Sequence, residues 1–245
     1  MPRPGPCSES SEKAVLSRNA VSRAVPLWLL ASFCAPWSGV AVSPATPGLP
    51  VLLATYTSEY PTAQVGRSWN IDLAARRLDG ALIHPGETLS FNRVVGPRGL
   101  ADGFRRAPEL LNGDRVEGVG GGVCQVASTL YAAALDAGIA IEARAPHSRP
   151  SGYVPTGRDA TVSFEHDIDL KLRNDLDVAV QVRMRAVGGQ LTVELYAERP
   201  SGRTVNVEIE RARAADGSGL SVVTVRSIAA DGAVSREIVS RDVYH

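Results

Sequence analysis

The sequence predicts an α+β fold in which a cysteine-bearing helix packs against an antiparallel sheet and the C-terminal part is rich in β-structure. Two early segments, 71–78 and 126–137, repeat apolar residues at helical spacing. From residue 178 onward apolar and polar residues alternate instead, the period of half-buried strands. Helices that come early and antiparallel strands that come late argue for α+β rather than for repeated βαβ units. No internal repeat or heptad is visible.

The elements follow in chain order. Arg3, Lys13, Arg18 and Arg23 precede the apolar run "AVPLWLLASFCAPWSGVAV", and small residues follow at Gly39, Ala41, Ser43 and Ala45. Basic residues, an apolar core and a small-residue region in that order predict a signal peptide, or an uncleaved N-terminal anchor, with its linker over 1–45. Pro26 and Pro36 leave an apolar core shorter than the roughly 20 residues a spanning helix needs, so no membrane span is expected once the leader is removed. Bulky Phe33 before Cys34 argues against a lipid-attachment site. The stretch "SPATPGLPVLLA" reads as a proline-rich linker entering a strand.

In "GRSWNIDLAARRLDG" Ile71, Ala74, Ala75 and Leu78 share a helical face, with Asn70 as the N-cap and Gly80 as the stop. "ALIHPGETLSFN" reads as strand, turn at Pro85-Gly86, strand, with His84 a turn residue. Gly96 to Gly118 is dense in glycine and proline and reads as loop. Val126, Leu130, Ala133, Ala134 and Ala137 then place a helix after Cys124, closed by Gly138. Val178 to Ala186 and Leu191 to Leu195 alternate around Gly188-Gly189, a two-residue hairpin signal. Val205, Val207 and Ile209 alternate again, and a last pair of strands flanks Asp231-Gly232. The expected organisation is leader and linker over 1–45, a main domain over 46–200, and a β-rich extension over 201–245. Tyr131, Phe91 and Trp69 are expected in the core.

Composition excludes some partners. The 26 basic and 26 acidic residues balance, so nothing draws the chain as a whole to nucleic acid or anionic lipid. With Cys7 and Cys34 in the leader, a mature exported chain holds Cys124 alone and forms no internal disulfide. A solitary thiol outside the cytosol is exposed to oxidation and calls for a reason. Cys124, His147, His166 and Asp167 are ligand types that zinc accepts, but they lack the tight spacing of zinc sites, so no metal and no cofactor are expected.

The reason lies in what precedes Cys124. Gly120, Gly121 and Gly122 run into Val123, Cys124 and Gln125 at the expected helix start. Free N–H groups and the macrodipole at a helix N-terminus favour an anion, so a thiol there titrates below its usual value. The glycines permit positive φ and close approach of a substrate. The Val123 and Cys124 N–H groups and the Gln125 side chain are candidate donors to an oxyanion. His147 follows Cys124 by 23 residues and Asp159 follows His147 by 12. A helix-borne cysteine with His and Asp on the succeeding strands makes nucleophile, base and orienter, the chain order of transglutaminase-like and papain-type folds.

The segments "NIDLAARRLDGALIHPGETLSFNRVVGPR", "GGGVCQVASTLYAAALDAGI" and "RAPHSRPSGYVPTGRDATV" together resemble the VanW family of bacterial envelope-associated proteins. The resemblance runs over about 64–196, and Ala127 stands where the family usually has a residue such as serine. It implies a setting in the cell envelope and a link to glycopeptide resistance, but no catalytic residues. Three readings follow. In the first, an exported protein uses Cys124, His147 and Asp159 for acyl transfer or hydrolysis on cell-wall peptides. In the second, a non-catalytic module binds wall peptides or an envelope partner over the Gly120 to Gly122 turn. In the third, the domain is purely structural: Cys124 is a buried small hydrophobe, His147 caps a strand or bonds a backbone carbonyl, and Asp159 pairs with Arg158 or closes a turn after Gly157.

Overall fold

A computed structural model describes residues 48–111 and 114–245. The expected leader over 1–45, with Cys7 and Cys34, lies outside the described residues. Strand β1 (Val51–Glu59) leads into α1 (Val65–Leu78), β2 (Leu82–Ile83), β3 (Thr88–Ser90) and the short α2 (Phe91–Val95). A 3₁₀ turn at Leu100–Asp102 precedes β4 (Arg106–Leu111), β5 (Asp114–Val119), α3 (Val123–Ala137) and β6 (Ala140–Ala143). After a long irregular stretch come β7 (Lys171–Arg173), β8 (Val180–Val187), β9 (Gln190–Ala197), β10 (Thr204–Arg213), β11 (Leu220–Ala230) and β12 (Ala233–Tyr244). The fold is α+β, and every named strand pair is antiparallel.

The main sheet has the order β1-β9-β8-β2, and α1 and α3 pack on it. The β8–β9 hairpin turns at Gly188-Gly189, both at positive φ, as the alternation on either side requires. Helix α1 buries Ile71, Ala74, Ala75 and Leu78, the face its spacing predicts. Helix α3 is buried almost all round, because the main sheet covers one side and the 144–162 segment another. Its small alanines allow both neighbours a close approach. Gly138, at φ 73°, caps it by donating to the Ala134 and Leu135 carbonyls.

Four expectations need correcting. Asn70 is no N-cap: α1 begins a turn and a half earlier, and Asn70 is fully buried inside it. The stretch read as loop from Gly96 holds the β4–β5 hairpin, with the turn dipeptide Asn112-Gly113 between its strands in sequence. Trp69 is 37% exposed, with the Arg105 guanidinium 3.9 Å from its ring centre, whereas Phe91 and Tyr131 are in the core. His147 and Asp159 lie on irregular segments tied by the single bridge Ala145–Thr161, not on regular strands. The residues after 200 form their own sheet, β10-β11-β12. It abuts the end of α3 at Gly138 and the irregular segment at Gly157. Among the described residues no helix is long and apolar enough to cross a membrane.

Candidate active site

Cys124 occupies the first turn of α3, two residues after the N-cap Gly122. The three glycines ahead of it are buried, and packing explains them. A Cβ on Gly121 would lie 2.5 Å from the Pro108 carbonyl oxygen, and one on Gly122 2.9 Å from Ile71 Cγ1. Gly120 and Gly122 also sit at φ 97° and 109°, which disfavours any side chain. Asn70 fixes this turn from inside α1. Its Nδ2 donates to the carbonyls of Arg105 (2.9 Å) and Gly121 (3.0 Å), and its Oδ1 accepts from the Arg105 N–H at 2.8 Å. The glycine turn is thus wedged between α1 and β4, which aims the start of α3.

Cys124 is a partly exposed free thiol that donates to the Val162 carbonyl at 3.5 Å. His147 hydrogen-bonds the same sulfur, and its Nδ1 lies 2.9 Å from Asp159 Oδ2. The His147 backbone N–H also donates to Asp159 Oδ2, at 2.7 Å. Cys124, His147 and Asp159 therefore form one hydrogen-bonded run. Asp159 is only 1% exposed and does not pair with Arg158, which bonds Asp136 instead. Its Oδ1 accepts from Arg144 Nη2 (3.1 Å) and from the Tyr244 hydroxyl (2.5 Å).

The electrostatics favour charge separation. Burial pushes the Cys124 thiol up, but the His147 hydrogen bond and charge, helped by Arg98, bring it below its ordinary value. Burial pushes His147 down, yet its bonds to Asp159 and Cys124 raise it to about 9. Asp159 is pushed up by burial and drawn down to about 2 by His147 and Arg144. A thiolate beside an imidazolium, oriented by a carboxylate, is competent for nucleophilic attack on a carbonyl.

Gln125 is not part of this group. Its Nε2 donates to Ser58 Oγ and the Glu59 carbonyl, both at 2.9 Å, and its Oε1 accepts from Arg67 at 2.7 Å. Of the two backbone donors expected to serve an oxyanion, the Val123 N–H is taken by the Gly120 carbonyl, whereas the Cys124 N–H has no backbone partner among the described residues. Ser128 back-bonds the Cys124 carbonyl and joins α3 to Ala160. Sequence reasoning missed Tyr153, whose hydroxyl lies 3.2 Å from His147 Nε2, and also Arg98, Arg144, Asp242 and Tyr244. Tyr153 and Arg144 stood in the same glycine- and proline-punctuated segment as His147, six residues after it and three residues before it. His166 bonds Ser163 on the surface.

An acid–imidazole–thiol run thus stands at the start of a glycine-led helix in an α+β domain of a recognised type. The family model described as "VanW like protein" matches residues 66–196, just over half of the chain, and the chain belongs to that family. It is 41% identical over 145 residues to the uncharacterized protein YoaR of Bacillus subtilis, covering 59% of this chain and 48% of that one. It is 33% identical over 141 residues to the vancomycin B-type resistance protein VanW of Enterococcus faecalis, covering 56% and 51%. The chain thus spans about half the length of the curated relatives it matches. No solved structure matches it.

Proposed function

We propose that this protein is an exported, envelope-associated cysteine acyltransferase or hydrolase acting on peptide or amide bonds of cell-wall material. The observation that carries the chemistry is the run from Cys124 through His147 to Asp159, with 2.9 Å between His147 Nδ1 and the carboxylate. The basic and apolar leader pattern supports export. The name of the Enterococcus faecalis relative supports a setting connected with vancomycin resistance.

In this reading the Cys124 thiolate attacks the carbonyl carbon and a C–S bond forms. The oxyanion takes the Cys124 N–H as a donor. The His147 imidazolium gives its proton to the leaving amine as the C–N bond breaks, leaving a thioester and a neutral imidazole. Water, or an acceptor amine, then attacks the thioester while His147 removes its proton, and the thiolate departs. Asp159 holds the ring and favours its charged form throughout.

The test is alkylation of Cys124 by iodoacetamide across pH, in a chain with Cys7→Ser and Cys34→Ser. The reaction is expected to titrate clearly below the roughly 8.5 of a free cysteine. His147→Ala is expected to move the titration upward, since the positive partner is gone. A native Cys124 that resists alkylation from about pH 6 to 9, yet reacts once unfolded, would be a packing residue. That result would leave the non-catalytic binding module as the reading.

A further inference from the structure

Arg98 follows α2 and is only 7% exposed. Its Nη2 donates to Asn92 Oδ1 at 2.5 Å, while its buried Nε and Nη1 have no hydrogen-bond partner among the described residues. The Phe91 ring, 5.6 Å from the guanidinium, offers a π face but no acceptor. A guanidinium does not give up its proton, and a buried donor left unmet is costly, so such donors persist where something comes to accept them.

The position of Arg98 says what that would be. A Cβ on Gly120 would lie 3.2 Å from Arg98 Cβ, so Arg98 packs against the turn that delivers Cys124. Asn92, which holds the guanidinium, donates through Nδ2 to the Ser163 carbonyl at 3.1 Å. The preceding residue, Val162, accepts from the Cys124 thiol at 3.5 Å. Thiol and guanidinium are therefore anchored to adjacent residues of one segment, and the Arg98 charge bears on the sulfur. Asp169 and Glu165 also act on Arg98 electrostatically, but Asp169 spends its oxygens on the Asn92 N–H and the Ser90 hydroxyl. Two carboxylates beside one guanidinium favour a single negative charge as its ligand over a phosphate dianion.

We propose that Arg98 forms an anion subsite beside Cys124 that receives a free peptide carboxylate, so that the substrate is a peptide with an unblocked carboxylate close to the attacked carbonyl. This rests on the acyl-transfer reading and adds the substrate class to it. Neither free donor is open to bulk solvent, while Cys124 is only partly buried, so in this proposal the carboxylate reaches Arg98 as part of a substrate bound over Cys124.

Acetyl-dialanine, of either chirality, and its C-terminal amide are compared as protectors of Cys124 against iodoacetamide. In the same chain, the rate of alkylation by iodoacetate is divided by the rate by iodoacetamide. The acid is expected to protect and the amide to fail. Arg98→Gln is expected to abolish the protection and to lower the iodoacetate preference by about tenfold, the size of one lost charge-assisted contact. Arg98→Lys keeps the charge and should retain part of both effects, and the acid–amide comparison on the unaltered protein stands even if Arg98→Gln does not fold. Equal protection by acid and amide, as a mere oxyanion donor would give, overturns the proposal, and so does an iodoacetate preference that survives Arg98→Gln. A depressed thiol titration with no carboxylate preference sinks the subsite alone. A thiol inert to iodoacetamide sinks the acyl-transfer reading and the subsite with it.

Discussion

Asp159 gathers four donors onto one carboxylate: the His147 backbone N–H and Nδ1 on one oxygen, Arg144 and Tyr244 on the other. Its pKa, drawn from 3.8 to about 2, makes it a stabilising charge that is fully present above about pH 4 and lost as pH falls toward 2. His147 runs the other way. Raised from 6.5 to about 9, its charge stabilises the fold below about pH 6.5, and that contribution fades as pH rises through 9. In the proposed acyl transfer the same window would govern the chemistry, because the leaving amine needs the imidazolium proton. Turnover of a peptide anilide is therefore expected to fall on an alkaline limb near pH 9, and Asp159→Asn should shift that limb down. Removing the charge should also cost about 2 kcal/mol of stability at pH 7. Denaturant unfolding at pH 7 and pH 3 checks this, since the gap between Asp159→Asn and the parent should narrow in acid.

At the scale of elements, the start of α3 is set by contacts that have no local signature. Asn70 spends three hydrogen bonds on Arg105 and Gly121, so Asn70→Ala leaves buried carbonyls unmet at about 1–3 kcal/mol. Gly121→Ala puts a Cβ against the Pro108 and Ala107 carbonyl oxygens, at 2.5 and 2.8 Å, and only a backbone shift relieves it. It should lower thermal stability by about 1–3 kcal/mol and move the Cys124 titration toward that of a free thiol. Unchanged melting and titration in Gly121→Ala would show that the turn is not fixed by packing. Periodicity made α3 and the β8–β9 hairpin legible, because one face of each must be apolar to reach the core. It failed at Asn70, where a side chain typical of caps is used inside a helix to hold a neighbouring turn. It failed also at β4–β5, where glycine and proline density hid a hairpin whose signal was Asn112-Gly113. Cys124, His147 and Asp159 were legible because their types and order carry chemistry. Arg98 and Tyr244 were not, because an arginine or tyrosine acquires its role only from what the fold brings beside it.

Across the whole molecule, the site is completed from beyond the family match. Residues 66–196 supply Cys124, His147, Asp159 and Arg144, but Asp242 and Tyr244 come from β12, the last strand. Tyr244 is 85 residues from Asp159 in sequence, yet its hydroxyl donates to that carboxylate and accepts the Gly157 N–H at 2.9 Å. Asp242 Oδ2 lies 2.5 Å from Arg144 Nη1, with both side chains almost wholly buried. The C-terminal sheet is thus a support for the acid end of the run. Tyr244→Phe keeps the ring and removes these two bonds together with a longer one that the hydroxyl accepts from Arg144 Nη2 at 3.4 Å, at an expected cost of about 1–3 kcal/mol. Losing a donor to the carboxylate also lets the Asp159 pKa rise, so acid unfolding should begin at a higher pH than in the parent. Asp242→Asn strips one of the two carboxylate partners of the buried Arg144 guanidinium, which keeps Asp159, and should cost about 1–3 kcal/mol. In Tyr244→Phe the iodoacetamide titration of Cys124 should stay below that of a free thiol, since the 2.9 Å contact between His147 and Asp159 does not depend on the hydroxyl. Acid unfolding followed by tryptophan fluorescence, beside the alkylation profile, separates the two effects. An acid midpoint that does not move in Tyr244→Phe would mean that β12 packs beside the site without supporting it.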